Sequence, residues 1–307
     1  MIVASFKTLL LLLTCLVPLL ASAADGKWVL AFAQDEMKND FRKAQVLEAR
    51  DEAAKHPNVE FVYSDAEGQT SLLIRQIDQF VRQNVDALIV GTNDENAVVP
   101  VISKAHMAGI PVIIVDRGVN THDYTSFINS DNILIGSIAA EYIAKRLNGQ
   151  GQVLLFEGLK TADVTHLRSK GFLDIMTRFP DIKVIKRTGN YLRKDAVLEM
   201  EKLVSQGIHL DAIFSESDSM LSGARMVLQR YGIDPSALIT VGCDYTSEAQ
   251  AAIRNGTQTG SVLFPLGGKQ SVKIALQVLS GKSVPKHIQI PVQLVTKENV
   301  DDVAPIF

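Results

Sequence analysis

Cysteine, aromatic residues and charge of one sign are all scarce in this sequence. Of its two cysteines, Cys15 falls in an apolar leader, which leaves Cys243 alone in the remainder. A lone thiol cannot close an internal disulfide, so the core must stabilise the fold unaided. No metal-ligand spacing surrounds Cys243, and it reads as a small buried hydrophobe at a strand end. A net charge of −3 gives no basic field for nucleic acid. Catalytic signatures are missing too: there is no G-x-S-x-G elbow, no G-x-x-x-x-G-K-S/T phosphate loop and no H-E-x-x-H helix. Gly267-Gly268-Lys269 lacks the spacing of a phosphate loop, and no two of the six histidines stand four residues apart. The chain reads as a binding protein rather than an enzyme, with no metal and no cofactor.

What is present begins with an export signal. Lys7 precedes TLLLLLTCLVPLL (8–20), an apolar stretch too short to span a bilayer comfortably. Ala21-Ser22-Ala23 is a small-x-small cleavage site, so the mature chain is expected to start at Ala24. Thr14 before Cys15 and apolar LVPLL after it argue against lipid attachment there.

Short, near-continuous Val/Ile/Leu runs then alternate with helix-period segments. Strands are predicted at 28–34, 59–66, 87–91 and 111–116, with helices at 41–56, 71–83 and 96–109 between them. The pattern restarts with strands at 152–158, 183–190, 212–217 and 238–244 and helices at 168–179, 195–207 and 218–232. This predicts an α/β fold of two halves, each a parallel sheet covered on both faces, with a seam near INSDNILIG (128–136). No Pro, Gly or Ser-rich linker separates them, which argues for two lobes joined by short crossings. A late stretch (259–295) fits neither half and is expected to serve both. The expected division is 24–129 plus 265–290 for one lobe and 130–264 plus 291–307 for the other, after a leader at 1–23.

In open parallel sheets, ligands bind outside the carboxyl ends of the strands. Polar residues gather there: Gln34-Asp35, Asn39 to Arg42, Asp65, Thr92 to Asp94, Asp116-Arg117, Glu157, Asn190-Tyr191, Glu216 to Asp218 and Asp244-Tyr245. Carboxylates and amides exchange hydrogen bonds with hydroxyls, and arginine donates a rigid fork. Phe41, Tyr191 and Phe264 could offer flat apolar faces. Together these fit a small polyol with an apolar face, which describes a sugar. Asp218, opening a helix, reads instead as a cap. Asp116-Arg117 ends an oily strand, PVIIV, and a surface ion pair would contribute only about 0–1 kcal/mol. The pair is better explained as one wall of a cleft.

The combination of VDALIVGTNDENAVVPVISKAHMAGIPVIIVDRGV (85–119), SDNILIGSIAAEYI (130–143), RSKGF (168–172), VGCD (241–244) and VLFPLGG (262–268) resembles the ribose-type periplasmic binding proteins of bacterial sugar ABC transporters. The similarity runs from about Trp28 to Val300, and NDFRKA (39–44) with VLFPLGG looks most like the galactofuranose-binder branch. The resemblance implies the type I fold: two Rossmann-like lobes, three crossing strands, and a monosaccharide trapped between lobes in the periplasm. It places Phe41, Arg42, Asp116, Arg117, Tyr191, Asp244 and Phe264 at the sugar. His166 and Arg168 stand near the family's second-lobe arginine, and Ser217 stands where ribose binders carry asparagine, which puts ribose itself in doubt. The implied partners are a membrane permease, or alternatively a chemoreceptor or sensor kinase that reads the closed form. The chain is expected to act as a monomer. A DNA-binding regulator is disfavoured because a leader occupies the place of a helix-turn-helix.

Overall fold

A computed structural model describes residues 27–307. The leader at 1–23, Cys15 and the start at Ala24 lie outside the described residues. The first lobe carries β1 (Trp28–Gln34), α1 (Asp40–Ala53), β2 (Val59–Asp65), α2 (Thr70–Arg82), β3 (Ala87–Gly91), α3 (Val99–Met107), β4 (Val112–Val115) and β5 (Ser126–Asn129). The second follows with α4 (Asn132–Arg146), β6 (Gln150–Glu157), α5 (Asp163–Met176), β7 (Asp181–Thr188), α6 (Arg193–Ser205), β8 (Ala212–Ser215), α7 (Asp218–Arg230), β9 (Ile239–Asp244), α8 (Ser247–Asn255) and β10 (Gly260–Leu263). The last elements are α9 (Gly268–Leu279), β11 (His287–Gln289) and β12 (Gln293–Thr296).

Strand order is β11-β5-β4-β3-β1-β2 in one sheet and β12-β10-β9-β8-β6-β7 in the other. Both are parallel except where β12 runs antiparallel to β10. The side-chain period of two explains why the inner strands are apolar on both faces. On β1, Ala31 and Ala33 join one buried cluster while Leu30 and Phe32 join another. On β6, Val153 and Leu155 face one cluster and Leu154 and Phe156 the opposite one. Cys243 is buried within the second lobe's core.

The sequence reading missed β5, which was folded into the seam. Within the late stretch, HIQIPVQLV (287–295) is not one strand. Pro291 has no N–H to offer a ladder, and the segment divides into β11 in the first sheet and β12 in the second. The chain thus passes between sheets after Asn129, after Leu263 and after Gln289, and α9 packs on α1, β3 and β4 of the first lobe. Where α4 and α5 touch, a Cβ on Gly136 would stand 2.0 Å from the Arg168 carbonyl and one on Gly171 2.0 Å from that of Ile133. Only glycine permits this approach, and it sets Arg168 beside the first turn of α4.

Candidate functional site

The carboxyl ends of the strands from both lobes converge on a small cavity of about 20 Å³, room for little more than one water. Asn39, Phe41, Arg42, Asp116 and Arg117 line it from the first lobe. Val164, Arg168, Tyr191, Asp244 and Phe264 line it from the second lobe and its crossing. Three of these side chains sit on left-handed backbone that disfavours residues with a Cβ: Asp116 at φ 68°, Tyr191 at 61° and Asp244 at 112°. Such backbone costs about 1–3 kcal/mol per residue and clusters at functional sites. At Asp116 it has a direct use. Strand alternation would send adjacent side chains to opposite faces; the left-handed turn ends the alternation, and Asp116 and Arg117 line the same cavity.

The first wall is a network of buried charge. Arg42 binds Asp35 at 2.8 Å, Asp116 Oδ2 at 2.5 Å and the Thr92 carbonyl at 2.8 Å. Arg117 Nη1 donates to Asp35 Oδ2 at 3.0 Å and to the Thr92 carbonyl at 3.3 Å. Burial and the charge of Arg117 hold Arg42 below the ordinary arginine value. Burial pushes the same way on Arg117, but Asp35 and Asp116 outweigh it and raise that guanidinium. Two buried polar atoms are left over: Asp116 Oδ1 and Arg117 Nε have no hydrogen-bond partner among the described residues.

The second wall is built differently. Arg168 Nε donates to Asn132 Oδ1 at 2.8 Å and Nη1 to the Glu216 carbonyl at 2.7 Å, both neutral acceptors. Burial pushes the Asp244 carboxyl well above its ordinary range, and Arg168 only partly offsets it. Burial, then the Glu216 charge, also raises the Tyr191 phenol. The Tyr191 ring fills the place where a Cβ on Gly158 would lie. Phe41 stacks on Phe264 with centroids 5.2 Å apart. Arg168 lies 4.6 Å from the Phe264 ring centre and Arg117 lies 5.1 Å from that of Tyr191. The walls also touch through Asn39 Nδ2 to the Tyr191 carbonyl at 2.7 Å, Thr161 Oγ1 to the Asn93 carbonyl at 2.6 Å, and the Gly118 amide to Asp163 at 2.9 Å.

Phe41, Arg42, Asp116, Arg117, Arg168, Tyr191, Asp244 and Phe264 are therefore brought together. Two expected residues are not. His166 is exposed on α5 and stands off the cavity, because Val164, Thr165, Arg168 and Phe172 form the buried face of that helix. Ser217 is buried but caps α7, its hydroxyl accepting from the Met220 amide. The cap expected at Asp218 thus belongs to its neighbour. Asp218 instead accepts from the Tyr245 amide, Ser261 and Gln258. Asn39, named among the strand-end polar residues but not placed at the sugar, lines the cavity with Val164, and Asp35 braces both arginines from behind. Asn39 gave a signal, as the capping residue ahead of α1; Val164 gave none.

Comparison with known proteins gives one consistent frame. The model of the periplasmic binding protein domain matches residues 30–283. The ribose import binding protein of Bacillus subtilis (strain 168) is 28% identical over 247 residues, covering 80% of each chain. The galactofuranose-binding protein of Escherichia coli (strain K12) is 26% identical, over 84% of this chain and 83% of its own. A solved ABC transporter solute binding protein from Bacillus halodurans C-125 with bound myo-inositol superposes with a TM-score of 0.86 at 29% identity, covering 92% of this chain and 98% of that one. With the strand order and the cleft described above, this chain belongs to the periplasmic binding protein domain family.

Proposed function

We propose that the protein captures a monosaccharide between its lobes in the periplasm and delivers it to the permease of an ABC transporter. The carrying observation is the pair Asp116 Oδ1 and Arg117 Nε, an acceptor and a donor on adjacent residues, buried and unpartnered. Leaving such a group unmet costs about 1–3 kcal/mol, more when it is charged. A hydroxyl donates to a carboxylate and accepts from a guanidinium, so neighbouring hydroxyls of a polyol satisfy both. Asp244 and Arg168 offer a second acceptor–donor couple, and Phe41, Phe264 and Val164 an apolar face. Ribose, galactofuranose and myo-inositol, named for the relatives, are different polyols, and the shared frame supports the class rather than one member. The leader-like start supports export, and binding without catalysis by a monomer is the simplest use of the cleft.

A thermal-shift panel of pentoses, hexoses and cyclitols tests the reading. A true ligand at 100 times its Kd should add about 2.7 kcal/mol of stability, while a panel in which no polyol raises the melting temperature would overturn it. Deleting the gene should then abolish uptake of the stabilising sugar. Retained uptake with a lost regulatory response would favour presentation to a sensor kinase or chemoreceptor.

A further inference from the structure

Behind the second wall, Glu216 is fully buried at the end of β8. Its carbonyl accepts from Arg168, and its carboxyl reaches Tyr191 and Ser169. The contacts are Glu157 Oε1 to Ser169 Oγ at 3.1 Å, Ser169 Oγ to Glu216 Oε1 at 2.9 Å, Glu216 Oε2 to Tyr191 Oη at 3.3 Å, Tyr191 Oη to Thr165 Oγ1 at 2.9 Å, and Thr165 Oγ1 to the Leu159 carbonyl at 2.8 Å. These are five contacts, but Ser169, Tyr191 and Thr165 bring only three hydroxyl protons. With both carboxyls ionised, two contacts must lack a hydrogen. A proton on Glu216 completes one of them. Glu216 can then donate to Tyr191, Tyr191 to Thr165, and Thr165 to the Leu159 carbonyl without conflict, while the Gly158 amide still donates to Oε2 at 2.9 Å.

We propose that Glu216 is a positioning residue that carries a proton and, through it, fixes the orientation of the Tyr191 hydroxyl in the cavity wall. The surroundings agree. Burial, with Glu157 adding to it, raises the carboxyl from 4.5 to about 7 against the pull of the Gly158 amide, Arg168 and Ser169. The charged and titratable groups facing it are Glu157 from β6, Arg168 from α5, Tyr191 beyond β7 and the thiol of Cys243 on β9. Cys243 is itself pushed up by burial. Lys186 lies 3.2 Å from Glu157. The sign follows from the raised value. The proton stabilises the folded wall fully below the ordinary carboxyl range, and this contribution is lost as pH rises through about 7.

This assignment rests on the cleft reading only in taking Tyr191 as ligand-facing, so the test uses no ligand. Protein labelled with ring-¹³C tyrosine is titrated, and the Tyr191 resonance is assigned by its loss in Tyr191→Phe. The expected result is a Tyr191 shift with a midpoint near neutrality in wild type and a flat profile in Glu216→Gln, whose amide supplies the N–H permanently. A Tyr191 resonance that is flat in wild type, or that titrates equally in Glu216→Gln, overturns the proposal. Should Glu216→Gln fold poorly, a carboxyl-¹³C glutamate titration of wild type decides. One buried glutamate titrating near neutrality supports the assignment, and all glutamates titrating in the ordinary acidic range contradict it.

Discussion

In the first lobe, two buried guanidiniums share Asp35, and Arg42 also holds Asp116 at 2.5 Å. In the second, Arg168 meets an amide oxygen and a peptide carbonyl, while the carboxyls near it, Asp244 and Glu216, are both pushed upward by burial. The first wall answers the cost of burying charge with opposite charge. The second answers it by favouring protonated acids. The difference teaches where pH can act. Polarity in the second wall is open to adjustment by a single proton, on Glu216.

The contrast can be broken from either side. The largest effect is expected at Arg117, whose removal leaves Asp35 and the Thr92 carbonyl short of a buried partner. Arg117→Ala should weaken sugar binding by about 2–5 kcal/mol, and Arg117→Lys should not fully restore it, since lysine lacks the fork. Calorimetric titration checks this, and a loss under tenfold would place the residue outside the site. A smaller effect is expected from Asp244→Asn. If burial keeps that acid protonated, a neutral amide replaces it with a loss below about tenfold, or 1.4 kcal/mol; a loss as large as that of Arg117→Ala would show a charged second wall. Ser217→Ala should cost about 1 kcal/mol of stability in urea unfolding, the worth of an N-cap, with sugar affinity unchanged. His166→Ala should change neither by more than about 0.5 kcal/mol, as for exposed positions generally.

Much of this was legible because it follows from short-range rules. The alternation of oily strands and helices gave the two sheets, and the strand-end rule singled out Asp116 and Arg117. Their joint orientation was not legible, because it depends on a positive φ at Asp116 that residue type alone does not announce. His166 could have been set aside from the sequence. The period that buries Val164, Arg168 and Phe172 puts residue 166 on the outer face of α5. Ser217 and Asp218 are both competent caps, and only the tertiary partners Ser261 and Gln258 turn the Asp218 carboxyl inward and leave the cap to the Ser217 hydroxyl. Glu216 stood among many acids at strand ends. Its distinction, a chain of hydroxyls with too few protons, exists only once Tyr191, Thr165 and Ser169 are assembled around it.

Closure connects the two walls. With the lobes together and no guest, Asp116 Oδ1 and Arg117 Nε stay buried and unmet, a cost that opening to water removes. A polyol touching both walls binds the closed form better than the open one, and only that difference shifts the equilibrium. Small-angle scattering of the wild-type protein, with and without the sugar that most raises its melting temperature, tests this most directly. The radius of gyration should fall at saturating sugar, by a hinge motion at the passages near 128–131, 264–265 and 290–291. An unchanged radius would contradict capture by closure and leave a rigid binding module in its place.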